Sequence, residues 1–225
     1  MKVTTDACLF GAWVIEEINN EKLIIKNCMD IGTGTGLLSL MLAQKNNEVL
    51  IDAIEIDKEA TDQAKANAAS SPWKERIDII NADVKTFSFK HKYDLIISNP
   101  PFYENEIRSA TDSKNVAHHS KDLTLEELLL IIKNHLASNG FFFLLLTYKR
   151  NEEVKRLLKD HQLHISKILL VRQSVKHDYF RIMIKGSLSE NENKETGFGE
   201  ISIWDDQQQY SRKFVDLLKD YYLHL

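Results

Sequence analysis

Short apolar runs alternate with helix-patterned segments along most of this chain, and that alternation leaves few architectures open. "KNCMDIG" ends a first strand, and a helix runs from about Gly36 to Gln44. "EVLIDAIEID" is a second strand, followed by the helix "KEATDQAKANAAS", which Asp57 starts. "RIDIINAD" and "YDLIIS" are a third and a fourth strand. Thr124 opens the helix "TLEELLLIIKNHLAS", and Glu127 three residues on completes a capping box. "GFFFLLLTY" is a fifth strand and "RNEEVKRLLKDH" a helix, after which "HISKILLVRQS" and "DYFRIMIKG" form a closing strand pair. Alternating strands and helices, with strands apolar on both faces, require a parallel sheet covered by helices on either side. The class is therefore α/β.

The tail is different. "SLSENENKETG" is polar and reads as a loop, "EISIW" adds a late strand and "YSRKFVDLLKDYYLHL" a last helix. There is no internal repeat. Length favours one domain over residues 1–225, with 187–225 as a C-terminal extension of loop, strand and helix. The longest piece without structure inside the core runs from Asn99 to Leu123, and loops that long in a compact domain usually carry function.

Hydrophobic content of 43% and charged content of 28% are those of a globular protein with a full core. No run approaches the ~20 apolar residues of a membrane span. The N-terminus lacks the charged start and cleavage site of a signal peptide. Cys8 and Cys28 make neither a disulfide framework nor a metal cluster. The cytoplasm is the expected location. The net charge of −4 argues against a general nucleic-acid coat. Yet ten Lys and Arg fall between Phe141 and Gly186, opposed by Glu152, Glu153, Asp160 and Asp178 alone. Such a stretch is either a directed polyanion site or a solvated helix face with strand ends.

"DIGTGTG", Asp30 to Gly36, lies where the first strand becomes the first helix. Glycines there let the backbone approach a ligand at the carboxyl ends of the strands. The spacing is GxGxG, not the GxGxxG of dinucleotide enzymes. A pyrophosphate wants a helix N-terminus without competing charge, whereas Asp30 puts a carboxylate at the loop entrance. That suits a ligand with a cationic centre and an amino group, as in S-adenosylmethionine. Glu55, 19 positions after Gly36, is placed to accept both hydroxyls of a ribose. Asp83 is placed to accept from an adenine amino group, with Ile56 and Val84 about the ring.

From Lys22 to Lys185 the chain resembles the class I S-adenosylmethionine-dependent methyltransferases. The resemblance implies a Rossmann-like, seven-stranded, mostly parallel sheet whose last strand runs antiparallel. It implies that Asp30 and the loop of Gly32, Thr33, Gly34 and Gly36 hold the methionine end of the cofactor. Glu55 then takes the ribose and Asp83 the adenine.

"LIISNPPFY" supplies the other half of the site. An exocyclic amine on a planar ring is a poor nucleophile, because its lone pair is delocalised. It needs acceptors for its two hydrogens as the nitrogen turns tetrahedral. The Asn99 side-chain carbonyl, which also borders the cofactor, is one acceptor. The Pro100 backbone carbonyl is the other, held by the Pro100–Pro101 pair. Phe102 stacks on a base swung out of its strand, with Tyr103 beside it. The motif resembles the [DNS]PP[YFW] signature of methyltransferases acting on planar amines or amides. Those include enzymes of rRNA, tRNA and DNA adenines and of protein glutamine. Only 29 residues precede Asp30, which leaves no room for the N-terminal helical domain of the glutamine enzymes, and no DNA target-recognition domain is visible.

"KVTTDACLFGAWV" resembles the opening of the bacterial tRNA-valine adenine N6-methyltransferases, and "YSRKFVDLLKDYYL" is similar to their C-terminus. The resemblance implies N6-methylation of the adenine 3′ of the anticodon of tRNA-Val, and residues 1–21 as a lid over the cofactor. The alternative for "LFGAWV" is an ordinary amphipathic helix packed on the sheet. The partner expected is the tRNA anticodon loop, with Arg108, Lys114, Lys149, Arg150, Arg172 and Lys176 as candidate RNA contacts. His118 and His119 lack the Cys or carboxylate company of a metal site, so no metal is expected. No obligate protein partner is evident. The competing readings are an N-methyltransferase of another planar amine or amide (rRNA or DNA adenine, protein glutamine, a small molecule) and a non-catalytic cofactor-binding subunit.

Overall fold

The computed structural model describes residues 3–100, 123–189 and 195–224. In chain order the elements are α1 (Thr5–Asn20), β1 (Asn27–Ile31), α2 (Leu37–Lys45), β2 (Leu50–Glu55), α3 (Lys58–Ala69), β3 (Ile77–Asn81) and β4 (Tyr93–Ser98). Then come α4 (Leu125–His135), β5 (Leu136–Thr147), α5 (Asn151–Asp160), β6 (His164–Ser174), β7 (Tyr179–Ser187), β8 (Gly197–Trp204) and α6 (Arg212–Leu218). Local capping chemistry sets two of the helix starts. The Asp57 carboxylate accepts from the Ala60 amide at α3, and Thr124 and Glu127 close a reciprocal capping box at α4.

All eight strands join one sheet in the order β3-β2-β1-β4-β5-β7-β6-β8. Strands β3 to β5 run parallel across the β1–β4 switch, while β7 is antiparallel to both β5 and β6. Successive residues of β5 feed opposite faces. Phe143 and Leu145 join the core under α1, α2, α3 and α6, and Phe142, Leu144 and Leu146 join the core under α4 and α5.

The sheet has eight strands, not the expected seven. The added strand is β8, which pairs parallel with β6 from Lys167↔Gly197 to Ser174↔Trp204. It covers the edge that β6 would otherwise expose and sends Ile201 and Ile203 into the α1 core.

The segment expected as a lid is a core helix. In α1, Leu9 and Phe10 are fully buried and Trp13 meets Phe143 edge-on at 5.4 Å. Gly11 lets α1 approach α2 closely, since a Cβ there would fall 2.7 Å from the Met41 sulfur. Buried charges tie the helix to the far half of the sheet. Asp6 Oδ2 accepts from Arg181 Nε at 2.6 Å. Glu17 is 2% exposed and meets both Lys167 and Lys185. Lys185, wholly buried, also lies 2.8 Å from Glu21 and 5.1 Å from the centre of the Phe141 ring. None of the contacts at its Nζ is an aligned hydrogen bond. "LFGAWV" is apolar on more than one side and lies between sheet and helices, the arrangement of the alternative weighed for it, a helix packed on the sheet.

Candidate active site

The carboxyl ends of β1 to β5 define one edge of the sheet, and the glycine loop sits at its middle. Gly32, Gly34 and Gly36 have φ of 71°, 58° and 83°. Side chains other than glycine rarely hold this left-handed backbone, which accounts for the GxGxG spacing. The loop is fixed from three sides. The Gly32 and Thr33 amides donate to the Ile54 carbonyl at 2.9 and 3.1 Å. Asn67 on α3 donates to the Thr35 carbonyl at 2.9 Å. The Gly34 amide donates to Glu55 Oε2 at 2.9 Å. A Cβ built on Gly32 would meet nothing within 4 Å, so the loop faces open space there.

Asp30, on β1, has no solvent exposure. Its Oδ2 accepts from Thr33 Oγ1 at 2.6 Å and from Ser39 Oγ at 2.7 Å, while Oδ1 has no hydrogen-bond partner among the described residues. Burial is the main force on its proton affinity and lifts the carboxyl from its ordinary value to about 6, with the two hydroxyls pulling the other way. A half-satisfied buried carboxylate is costly, and it favours a cation that can reach Oδ1. The Thr33 hydroxyl is committed to Asp30, which leaves the backbone of Thr33 as its means of meeting a ligand. Ser39 was not singled out from the sequence, although a serine inside the apolar run "LLSLML" is the signal that marks it.

Glu55 closes β2 and is 8% exposed. Besides the Gly34 amide it accepts from the Asp57 amide at 2.9 Å, through Oε1. Each oxygen keeps a further lone pair, so Glu55 both braces the loop and can accept from a ligand. Ile56 beside it is 51% exposed, an unusual setting for isoleucine at the rim of a site. Asn81, also not anticipated, donates to the Glu55 and Ile56 carbonyls and to Thr61 Oγ1 and so shapes that turn. Asp83 Oδ1 accepts from the Lys85 amide at 2.9 Å. Val84 is buried in the α4-side core, so at most part of its side chain borders a ligand.

On the neighbouring strand, Ser98 Oγ donates to the Ile31 carbonyl at 2.8 Å and pins the end of β4 to the end of β1. Asn99 follows directly. Its Oδ1 is buried and has no hydrogen-bond partner among the described residues. Pro100 is half-buried after it. Pro101, Phe102, Tyr103, Arg108, Lys114, His118 and His119 lie outside the described residues.

The remaining candidate cations share this edge, because β7 begins and β6 ends beside the end of β5. Two of them hold carboxylates in the fold. Arg150 binds Glu153 through two nitrogens at 2.8 and 2.9 Å. Arg172 donates to Ser202 Oγ at 2.8 Å and to Glu200 at 3.2 Å. Lys149 follows β5, and Lys176 is exposed in the β6–β7 turn. Among the described residues there is no group of three His, Cys, Asp or Glu able to hold a metal ion, and no helix is long and apolar enough to cross a membrane.

Comparison with known proteins agrees with this layout. The family described as Methyltransferase small domain matches residues 11–165. Among solved structures, a predicted O-methyltransferase from Agrobacterium tumefaciens superposes with a TM-score of 0.70 at 14% identity, covering 94% of this chain and 95% of that one. An S-adenosylmethionine-dependent methyltransferase from Clostridium acetobutylicum does so with a TM-score of 0.59 at 17% identity, over 81% and 92%. These likenesses establish the class I methyltransferase fold. Curated relatives are nearer in sequence. The tRNA1(Val) (adenine(37)-N6)-methyltransferase of Dyadobacter fermentans is 36% identical over 99% of this chain and 91% of its own length. That of Bacteroides thetaiotaomicron is 35% identical over 100% and 92%. Matched along its whole length, with glycine loop, acidic strand ends and "NPPF" in place, the chain belongs to the tRNA1(Val) (adenine(37)-N6)-methyltransferase family.

Proposed function

We propose that the protein uses S-adenosylmethionine to methylate N6 of an adenine in tRNA, at position 37 beside the anticodon of tRNA-Val. One observation supports this above the others. Of five buried polar side-chain atoms left without a hydrogen-bond partner among the described residues, two are acceptor oxygens at the ends of adjacent strands, Asp30 Oδ1 and Asn99 Oδ1. Buried acceptors are rarely left orphaned in folded proteins. The first meets a cationic amino acid end and the second an amine being methylated.

The residues present fit the cofactor. Asp30 and the glycine loop would hold its methionine end, Glu55 its ribose, and Asp83 with Ile56 and the edge of Val84 its adenine. When bound, the cofactor supplies a methyl group on a sulfonium, which the amine nitrogen takes as the carbon–sulfur bond breaks and the amine gives up one proton. Asn99 Oδ1 accepts a hydrogen from that amine and turns the nitrogen lone pair toward the methyl. Pro100 offers its carbonyl to the second hydrogen. Placing these acceptors is most of the catalysis, because no strong base is needed before attack. Phe102 stacks on the extruded base, and Tyr103, Arg108, Lys114, Lys149 and Lys176 contact RNA. Residues 1–225 act as one methyltransferase domain, in the cytoplasm. Methyl transfer from labelled cofactor to total tRNA, followed by nucleoside mass spectrometry and site mapping, tests the proposal. N6-methyladenosine at position 37 of tRNA-Val is expected, and label in protein or in another nucleoside would overturn it.

A further inference from the structure

The carboxyl edge does not stop at Asn99. It continues across β5, β7 and β6 to β8, because β6 and β8 run parallel to β5. At its far end the β6–β7 turn and the turn after β8 border an open cleft of about 450 Å³. This is within the usual range for a small-molecule or nucleotide site. One wall is Trp204, the outer ring of a column in which Tyr210 stacks on the indole at 4.3 Å and Phe214 stacks on Tyr210 at 4.7 Å. The rest of the lining is Gln173, Ser174, Lys176, His177, Gln208 and two carboxylates, Asp205 and Asp206, of which Asp205 Oδ1 accepts from the Gln207 and Gln209 amides. Ser174 Oγ lies 2.7 Å from His177 Nδ1, which fixes the imidazole and leaves Nε2 for a ligand. Gln208 has φ of 61°, a conformation that turns its residue away from a regular turn. An aromatic plane, two amides and an imidazole are groups that hold one base: the plane stacks on it and the amides read its edge, while Asp206 can accept from an exocyclic amine and Lys176 offsets the carboxylate charge.

The position of the cleft relative to the reaction centre bears on which nucleotide this is. The ends of β6 and β8 are three and four strands from β4. At ~4.8 Å per strand that is about 14–19 Å. It corresponds to about four to six stacked nucleotides at ~3.4 Å each, and fewer in an extended loop. We propose that this cleft is a second base pocket, which takes an unstacked RNA nucleotide several positions from the methylated adenine and so helps select the substrate. The proposal rests on the RNA reading above and deepens it.

The test uses the full-length protein and a synthetic anticodon stem-loop of tRNA-Val. His177→Ala/Gln208→Ala changes two turn residues, and Trp204→Phe keeps a ring on Tyr210. The double variant is expected to raise KM for the stem-loop about tenfold (~1.4 kcal/mol) with kcat unchanged. A trinucleotide centred on the adenine, too short to reach the cleft, should not distinguish it from wild type. Abasic substitution along the stem-loop should find one position away from the target whose loss raises KM in wild type but adds nothing in the double variant. Stem-loop binding should quench tryptophan emission, and Trp204→Phe should abolish most of the quench. The other tryptophans are Trp13, in the core, and Trp73, next to the opposite edge at the start of β3. If wild type methylates the stem-loop but no abasic position couples to the variants, the pocket is wrong and the function stands. If wild type methylates no RNA substrate, the functional reading fails and the pocket falls with it.

Discussion

Replacing Asp30 by Asn separates the two things that a buried carboxylate does here. Asn keeps an oxygen for the Thr33 and Ser39 hydroxyls but removes the charge and sets an amide nitrogen where Oδ1 stood. The folded protein holds the Asp30 proton up to a pH of about 6, whereas the unfolded chain releases it near 3.8. Between those values the folded state binds more protons, so this group's contribution to stability falls as pH rises and stays reduced above 6. The full effect is ~3 kcal/mol. At pH 7.5 the cofactor-free Asn variant should therefore be more stable than wild type, by up to ~3 kcal/mol. That is about 6–12 °C in Tm for a chain of this size, and the gain should vanish near pH 4. Cofactor affinity should move the other way. Loss of a charged partner weakens binding by ~1.5–3 kcal/mol, or about 10- to 160-fold in Kd. In wild type, Kd should rise about tenfold from pH 7.5 to pH 5 as Asp30 takes up its proton, while the variant stays flat. Calorimetry at pH 7.5, 6 and 5 with S-adenosylmethionine reads both quantities. Equal affinities for wild type and variant at pH 7.5, or a wild-type Kd independent of pH, would refute the assignment of Asp30 to the cationic end.

Asn99→Ala should fold, bind cofactor normally and lose nearly all methyl transfer in single-turnover assays, since Asn99 Oδ1 has no hydrogen-bond partner among the described residues; retained activity would remove Asn99 from the mechanism. Glu55→Ala should weaken cofactor binding by ~1.5–3 kcal/mol, and unchanged affinity by calorimetry would sink the ribose assignment. Glu17→Ala leaves Glu21 as the one carboxylate beside buried Lys185 among the described residues. It should cost about 3 kcal/mol by urea denaturation, the low end for orphaning a buried charge, and a wild-type midpoint would contradict that account. Phe102→Ala should raise KM for RNA by ~1–3 kcal/mol while Phe102→Tyr is tolerated, so a dead Tyr variant would mean the ring does something other than stack.

Local chemistry wrote much of this fold into the sequence in readable form. Caps at Asp57 and Thr124, apolar strands, and three glycines spaced for left-handed backbone all act within a few residues of themselves. The acidic strand ends Asp30 and Glu55 were legible for the same reason, since a strand followed by a turn places its last side chains at the sheet edge. The resemblance in "NPPF" and at the two chain ends carried the substrate class. What could not be read depends on partners far along the chain. α1 is a core helix because Trp13 finds Phe143 and Asp6 finds Arg181, contacts across more than a hundred residues. β8 joins the sheet because β6 leaves an edge that Ile201 and Ile203 can close over the α1 core. Arg172 reads as an open cation in sequence, and folding brings Glu200 and Ser202, 28 and 30 residues on, against it. Ser39 stands out in sequence as a serine inside an apolar run, but its partner Asp30, like Glu55 as the partner of the ordinary Asn81, is set by the turns that bring them together. A side chain's type and spacing follow from its neighbours in sequence, but its partner, and hence its charge state and role, follows from which strands the chain lays side by side.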